Sequence, residues 1–221
     1  MGILLSRLKS YARFVYRRCA VPFLETWKTG WNLKQHASAS SRMLEIGPGK
    51  ERLPGFETLD IMGGKQIDYV LDATKKLPFD DDTFDVIYAS HVLEHVPWFE
   101  VERVLEEWVR VLAPGGRLEI WVPDGLKICD SVLAAESGSL VGVPDGWRKR
   151  NPKDSPYIWA QGRLFWGANE AYPSWHRALF TPRYLRVCLE DAGLRNVRYL
   201  SRDELRGYDH GWINLGIVGT K

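Results

Sequence analysis

Between residues 43 and 95 the chain carries an ordered series of groups able to hold a small polar ligand. Met43-Leu44-Glu45-Ile46-Gly47-Pro48-Gly49 is an apolar run that ends in an acidic residue and a Gly-x-Gly turn. Gly47 and Gly49 let the backbone turn tightly and let a ligand approach without meeting a Cβ. Asp60 closes a second apolar stretch, Phe56-Glu57-Thr58-Leu59, and Asp72 follows a third, Tyr69-Val70-Leu71. A carboxylate at such a position can accept two hydrogen bonds from a vicinal diol. Past a fourth run, Phe84–Ala89, comes Ser90-His91-Val92-Leu93-Glu94-His95. His91-x-x-Glu94-His95 fits the inverted zinc-protease pattern, but a strand-to-helix setting argues against that chemistry.

The elements that must position these groups follow from periodicity. Arg42 to Ile46, Phe56 to Asp60, Tyr69 to Leu71 and 84–89 read as strands. Val101, Val104, Leu105, Trp108 and Leu112 recur at helical spacing and predict an amphipathic helix over 98–113. Pro114-Gly115-Gly116 stops it, and Arg117–Val122 is the fifth strand. Thr181-Pro182 caps a helix over Arg183–Ala192. Residues 194–200 and 212–219 read as two closing strands, linked by the polar loop Ser201–Gly211.

The series Glu45-x-Gly47-x-Gly49, Leu59-Asp60, Leu71-Asp72-Ala73, Phe84–Ala89 and Leu112-Ala113-Pro114-Gly115-Gly116-Arg117-Leu118 resembles the class I S-adenosylmethionine-dependent methyltransferases. The resemblance covers residues 42–124 closely and 160–200 loosely. It implies a Rossmann-like α/β fold with a mostly parallel, seven-stranded sheet ending in an antiparallel hairpin. It also implies S-adenosylmethionine as the cofactor. Glu45 would help hold the cofactor's amino end and the Gly47/Gly49 turn its methionine part. Asp60, with Ile61 beside it, would take the ribose hydroxyls. Asp72 would face the adenine amino group beside the Ala73 amide, and Ser90 would line the same strand end. One departure stands out. An acidic residue usually lies roughly 20 residues past the glycines, whereas Gly49 and Asp60 are 11 apart with Pro54 and Gly55 between them. The first two crossovers are therefore trimmed to at most a turn of helix. Such compaction resembles a bacterial branch found with glycan and lipopolysaccharide biosynthesis, and it implies O-methylation of a sugar or sugar phosphate. Two rival readings are a methyltransferase for a soluble quinone or polyketide precursor and a scaffold protein that keeps the fold without the reaction. Oxygen, nitrogen and carbon acceptors all stay open.

Histidine is the side chain suited to act as a base near neutral pH. His176, in Trp175-His176-Arg177-Ala178-Leu179-Phe180-Thr181, and His91 are the catalytic candidates. His95 reads as a structural residue bonding to backbone. Some methyltransferases hold a divalent ion in a Glu-x-x-Glu-His set here; His91 stands in place of the first glutamate, so no metal is assigned.

A cap insertion spans about 125–180 and holds Trp147, Trp159, Trp166 and Trp175 beside several basic residues. Flat rings beside basic donors suit a phosphorylated sugar, or else they form a satellite core under a long loop. Residues 1–36 form a basic arm. They carry seven Lys/Arg against Glu25 alone, while the remainder holds 23 basic and 27 acidic residues. No globally basic nucleic-acid binder is indicated. Residues 3–20 read as an amphipathic helix ended by Pro22, which either caps the domain or rests on an anionic membrane surface. Cys19, Cys129 and Cys188 are far apart and suggest neither a disulfide framework nor a thiolate metal site. A cytoplasmic setting, peripheral on the membrane's inner face in the second arm reading, is the expectation.

Overall fold

A computed structural model describes residues 21–37, 39–138, 156–165 and 175–221. Its elements start with helix α1 (Val21–His36), then strands β1 (Met43–Ile46), β2 (Glu57–Asp60), β3 (Tyr69–Val70) and β4 (Phe84–Ser90). Helix α2 (Val101–Val111) leads into the long strand β5 (Leu112–Pro123), and helices α3 (Gly125–Glu136) and α4 (Pro156–Phe165) follow. Helix α5 (Pro182–Asp191) and strands β6 (Arg195–Leu200) and β7 (Asn214–Thr220) close the fold.

The seven strands form one sheet in the order β3-β2-β1-β4-β5-β7-β6. β1 through β5 pair in parallel, and β7 runs antiparallel to both β5 and β6. This is a Rossmann-like α/β arrangement, as the resemblance implies, with the antiparallel hairpin at one edge. The strand order reverses between β1 and β4, which places a ligand crevice at their carboxyl ends. Residues 47–56 and 61–68, the first two crossovers, contain no helix, as their length requires.

Burial explains the central elements. The apolar stripe of α2 (Val101, Val104, Leu105, Trp108) is fully buried against the sheet, whose strands contribute Leu44, Ile46, Ile87, Leu118 and Ile120. Residues 98–100 form a 3-10 turn ahead of α2. Pro114-Gly115-Gly116 does not separate helix from strand as expected. β5 already begins at Leu112, and the three residues form an irregularity in its pairing with β4, where Gly115 has φ +79°.

Residues 3–20, expected to form the amphipathic helix that Pro22 ends, lie outside the described residues, and Pro22 itself falls within α1. α1 packs on the domain and covers the β3 edge. The Val70 amide donates to Thr29 Oγ1 at 3.0 Å, and Asn32 Nδ2 donates to the Asp68 carbonyl at 2.9 Å. Beneath α1, Arg42 holds Glu57 through two bonds of 2.8 Å, and His36 Nδ1 lies 3.1 Å from Glu57 Oε2. Among the described residues no helix is long and apolar enough to cross a membrane.

In the cap, Asp124 accepts from the Leu126 and Lys127 amides and starts α3, a helix not anticipated from the sequence. Ile128 of α3, Trp159 and Ala160 of α4, and Ile213 form a satellite core, with Trp159 stacked on Trp212 at 5.8 Å. Trp147 and Trp166 lie outside the described residues.

Candidate active site

Two cavities open at the carboxyl ends of β1 and β4, and the Gly47 and Gly49 turn borders both. The first, about 260 Å³, is lined by Gly47, Gly49, Asp60, Ile61, Asp72, Ala73, His91 and His95, with Ile46, Leu59, Val96 and Trp108 as apolar walls. The second, about 920 Å³, is lined by Glu45, Lys50, Arg52, Tyr88, Ser90, Arg206, Tyr208 and His210. Six of the eight residues expected to hold the cofactor thus meet in one cavity. Glu45 and Ser90 sit across the glycine turn in the other.

The turn is built for close approach. Gly47 has φ +71°, and a Cβ there would stand 2.4 Å from Val92 Cγ2. Gly49 has φ +63° with nothing within 4 Å, so its open side belongs to the cavities. The Gly47 amide donates to the Leu59 carbonyl at 2.8 Å, tying the turn to the end of β2. Asp60 Oδ1 accepts from the Met62 amide at 2.7 Å. Burial pushes the Asp60 carboxyl above its ordinary value. Asp72 Oδ1 accepts from the Thr74 amide and hydroxyl at 2.9 and 2.7 Å. The Ala73 carbonyl accepts from the Trp108 indole at 3.0 Å, which fixes the apolar wall against the aspartate turn. Glu45 is buried and accepts from the Leu53 amide at 2.7 Å. Burial raises its carboxyl too, although that bond and Arg52 oppose the rise.

The histidines gather around one carboxylate. Glu94 is 1% exposed, and neither of its oxygens has a hydrogen-bond partner. His91 Nδ1 lies 3.2 Å from Oε1, within reach but off-angle for a hydrogen bond. His176 Nε2 lies 3.9 Å from the same oxygen. His95 and His176 meet edge to face at 5.0 Å. Burial opposes the charge on Glu94, yet His91, with His95 and His176 behind it, holds the carboxyl below its ordinary value. Burial likewise pushes His176 below the ordinary imidazole value, against the pull of Glu94.

His91 takes the left-handed conformation, φ +55°, an uncommon backbone state for a non-glycine residue that clusters at functional sites. His176 lines neither cavity. It sits buried behind Glu94, where the Arg177 and Ala178 amides donate to the Glu94 carbonyl at 2.7 and 3.1 Å. His95 bonds the Trp175 carbonyl at 3.1 Å, the backbone contact expected of it, and also forms part of the first cavity wall. Sequence reasoning missed His210, whose ring lies 3.8 Å from that of His91. It also missed Arg206 and Tyr208. All three come from the 201–211 segment, whose polar composition signals only a linker.

Residues 30–120 match the family described as Methyltransferase domain. Over this span the chain is similar to methyltransferase domains. The matched span includes β1 to β4, whose carboxyl ends open into the two cavities. Among curated proteins, the chain is similar to demethylmenaquinone methyltransferases. It is 29% identical over 166 residues to that of Bacillus subtilis (strain 168), covering 73% of this chain and 60% of the relative. It is 40% identical over 148 residues to that of Clavibacter sepedonicus, covering 64% and 54%. The chain thus spans about three fifths of the length of the Bacillus relative. Among solved structures, a SAM-dependent methyltransferase from Archaeoglobus fulgidus superposes with TM-score 0.46 at 15% identity, covering 96% of this chain and 99% of that one.

Proposed function

We propose that the protein transfers the methyl group of S-adenosylmethionine to a small ring acceptor bearing ionisable oxygens, of the quinol type. The observation that carries the transfer is the convergence of Gly47, Gly49, Asp60, Asp72 and Ala73 on one cavity. Two carboxylates on an apolar-walled pocket suit a nucleoside, with the diol on Asp60 and the base between Ile61 and Trp108. The methionine part then crosses the glycine turn toward Glu45 and Ser90 in the second cavity. The second cavity takes the acceptor. Holding donor and acceptor in line across the turn supplies much of the rate of direct transfer from the sulfonium to the acceptor, with no covalent enzyme intermediate.

The quinol class is supported by the names of the relatives. A glycan acceptor would rest on the tryptophan-rich cap. Of the two described cap tryptophans, Trp159 is 6% exposed and stacked inside the satellite core, which leaves only Trp175, at 41%, to meet a sugar. Calorimetric titration with S-adenosylmethionine and its demethylated product tests the donor, and transfer of labelled methyl to a naphthoquinol, against a sugar phosphate, tests the acceptor. Binding with label on the quinol supports the reading. Labelling of the sugar phosphate alone restores the glycan acceptor, and no binding by folded protein removes the transferase.

A further inference from the structure

Three histidines lie around Glu94, and one ring nitrogen of each is already committed as a donor. His95 Nδ1 lies 3.1 Å from the Trp175 carbonyl and His176 Nδ1 lies 2.7 Å from the Arg163 carbonyl. A carbonyl only accepts, so both Nδ1 atoms carry the proton and both Nε2 atoms keep a lone pair. His91 Nε2 lies 3.0 Å from Asn214 Oδ1. The Asn214 amide is oriented by its other end, because Nδ2 donates to Asp209 Oδ1 at 3.0 Å. His91 Nε2 is therefore also a donor, and its Nδ1 is the atom facing Glu94.

The result is a buried carboxylate without hydrogen-bond partners, beside imidazoles that each keep a free lone pair, those of His91 Nδ1 and His176 Nε2 lying 3.2 and 3.9 Å from Oε1. That arrangement repels itself unless a cation sits in the middle. One proton on His91 would answer one carboxylate oxygen. It would leave the other oxygen and the Nε2 atoms of His95 and His176 unanswered. A carboxylate oxygen of Glu94 and one ring nitrogen each from His95 and His176 lie within 4.8 Å of one another. Histidines that bind metals characteristically donate their second N–H to a backbone carbonyl or carboxylate, which fixes the tautomer. Both ligand histidines do so here.

We propose that Glu94, His95 and His176 bind one divalent transition metal of the zinc class, with His91 Nδ1 beside the carboxylate. Two imidazoles and a carboxylate are a borderline-soft donor set suited to zinc. Three protein ligands leave a fourth position, and His95 lies on the cavity wall. The metal thus borders the methyl-donor pocket, and the inference rests on the transferase reading above.

The test is titration of the chelator-treated full chain with cobalt(II), followed by visible absorption, and then displacement by zinc with metal analysis after dialysis. Wild type should take up one cobalt per chain in a tetrahedral-type spectrum without thiolate charge-transfer bands. His95→Gln and Glu94→Gln should weaken zinc binding by about 100-fold or more. His95 is half-buried, so its variant keeps the test valid if Glu94→Gln misfolds, with circular dichroism as the check. Asp60→Ala should keep the metal. Absence of stoichiometric uptake by wild type overturns the proposal, as does uptake that survives His95→Gln. Calorimetric binding of S-adenosylmethionine to the metal-free protein separates failure of the metal site from failure of the transferase reading.

Discussion

Asp60 and Asp72 sit on the same cavity but carry different burdens. Asp60 spends Oδ1 on the Met62 amide, and burial already raises its carboxyl, so a diol that donates to it relieves a poorly solvated anion. Hydrogen bonds to a charged acceptor are each worth about 1.5–3 kcal/mol. Asp60→Ala should therefore weaken S-adenosylmethionine binding by about 10- to 100-fold, read by calorimetry, with the melting temperature nearly unchanged. Unaltered affinity would remove Asp60 from the ligand. The two turn glycines separate strain from occlusion. Alanine at Gly49 meets only the backbone cost of φ +63°, about 1 kcal/mol. Alanine at Gly47 adds a 2.4 Å encounter with Val92 Cγ2 to a φ of +71°. Gly47→Ala should lower the melting temperature more than Gly49→Ala does, and both should weaken the cofactor. Equal melting temperatures would mean that Val92 yields to the added methyl without cost.

At the scale of elements, the buried Arg42–Glu57 pair joins β1 to β2 under α1. Burial opposes ionisation of Glu57, but its bonds to Arg42 and Tyr69 hold the carboxyl below the ordinary value of 4.5. A carboxyl depressed in the folded state contributes stability that is present above the unfolded pKa and lost as pH falls through the folded one. Stability should decline as pH drops below about 4.5, the ordinary value. Glu57→Gln should cost about 3 kcal/mol at neutral pH, because Arg42 stays buried without its partner. It should also flatten the acid limb of a urea-unfolding series. A parallel acid limb would place the titrating group elsewhere. The strands that carry this pair are legible in the sequence, because each is a short apolar run beside an acidic residue. α1 and α3 are not. Pro22 reads as a helix stop, and the Asp124 cap stands directly after the fifth strand, where a loop is the ordinary expectation. The meeting of His176 with Glu94 depends on backbone bonds between segments about 80 residues apart, and no local spacing encodes it.

For the whole molecule, the sheet's exposure at its β3 edge decides whether residues 1–36 are an appendage. β3 is only two residues long and is the outermost strand. An open edge invites pairing with another chain. α1 closes it by giving the Val70 amide a partner in Thr29 and by seating Asn32 on the Asp68 carbonyl. His36 completes the Glu57 cluster from the same helix. Deleting residues 1–36 removes these contacts together and bares Tyr69, which is otherwise fully buried. The truncated chain should melt well below the full one and self-associate in gel filtration at micromolar concentration. An arm that merely tethers the domain would leave melting temperature and elution unchanged. That outcome would assign the β3 edge a different cover and return the residues before β1 to the role of an anchor.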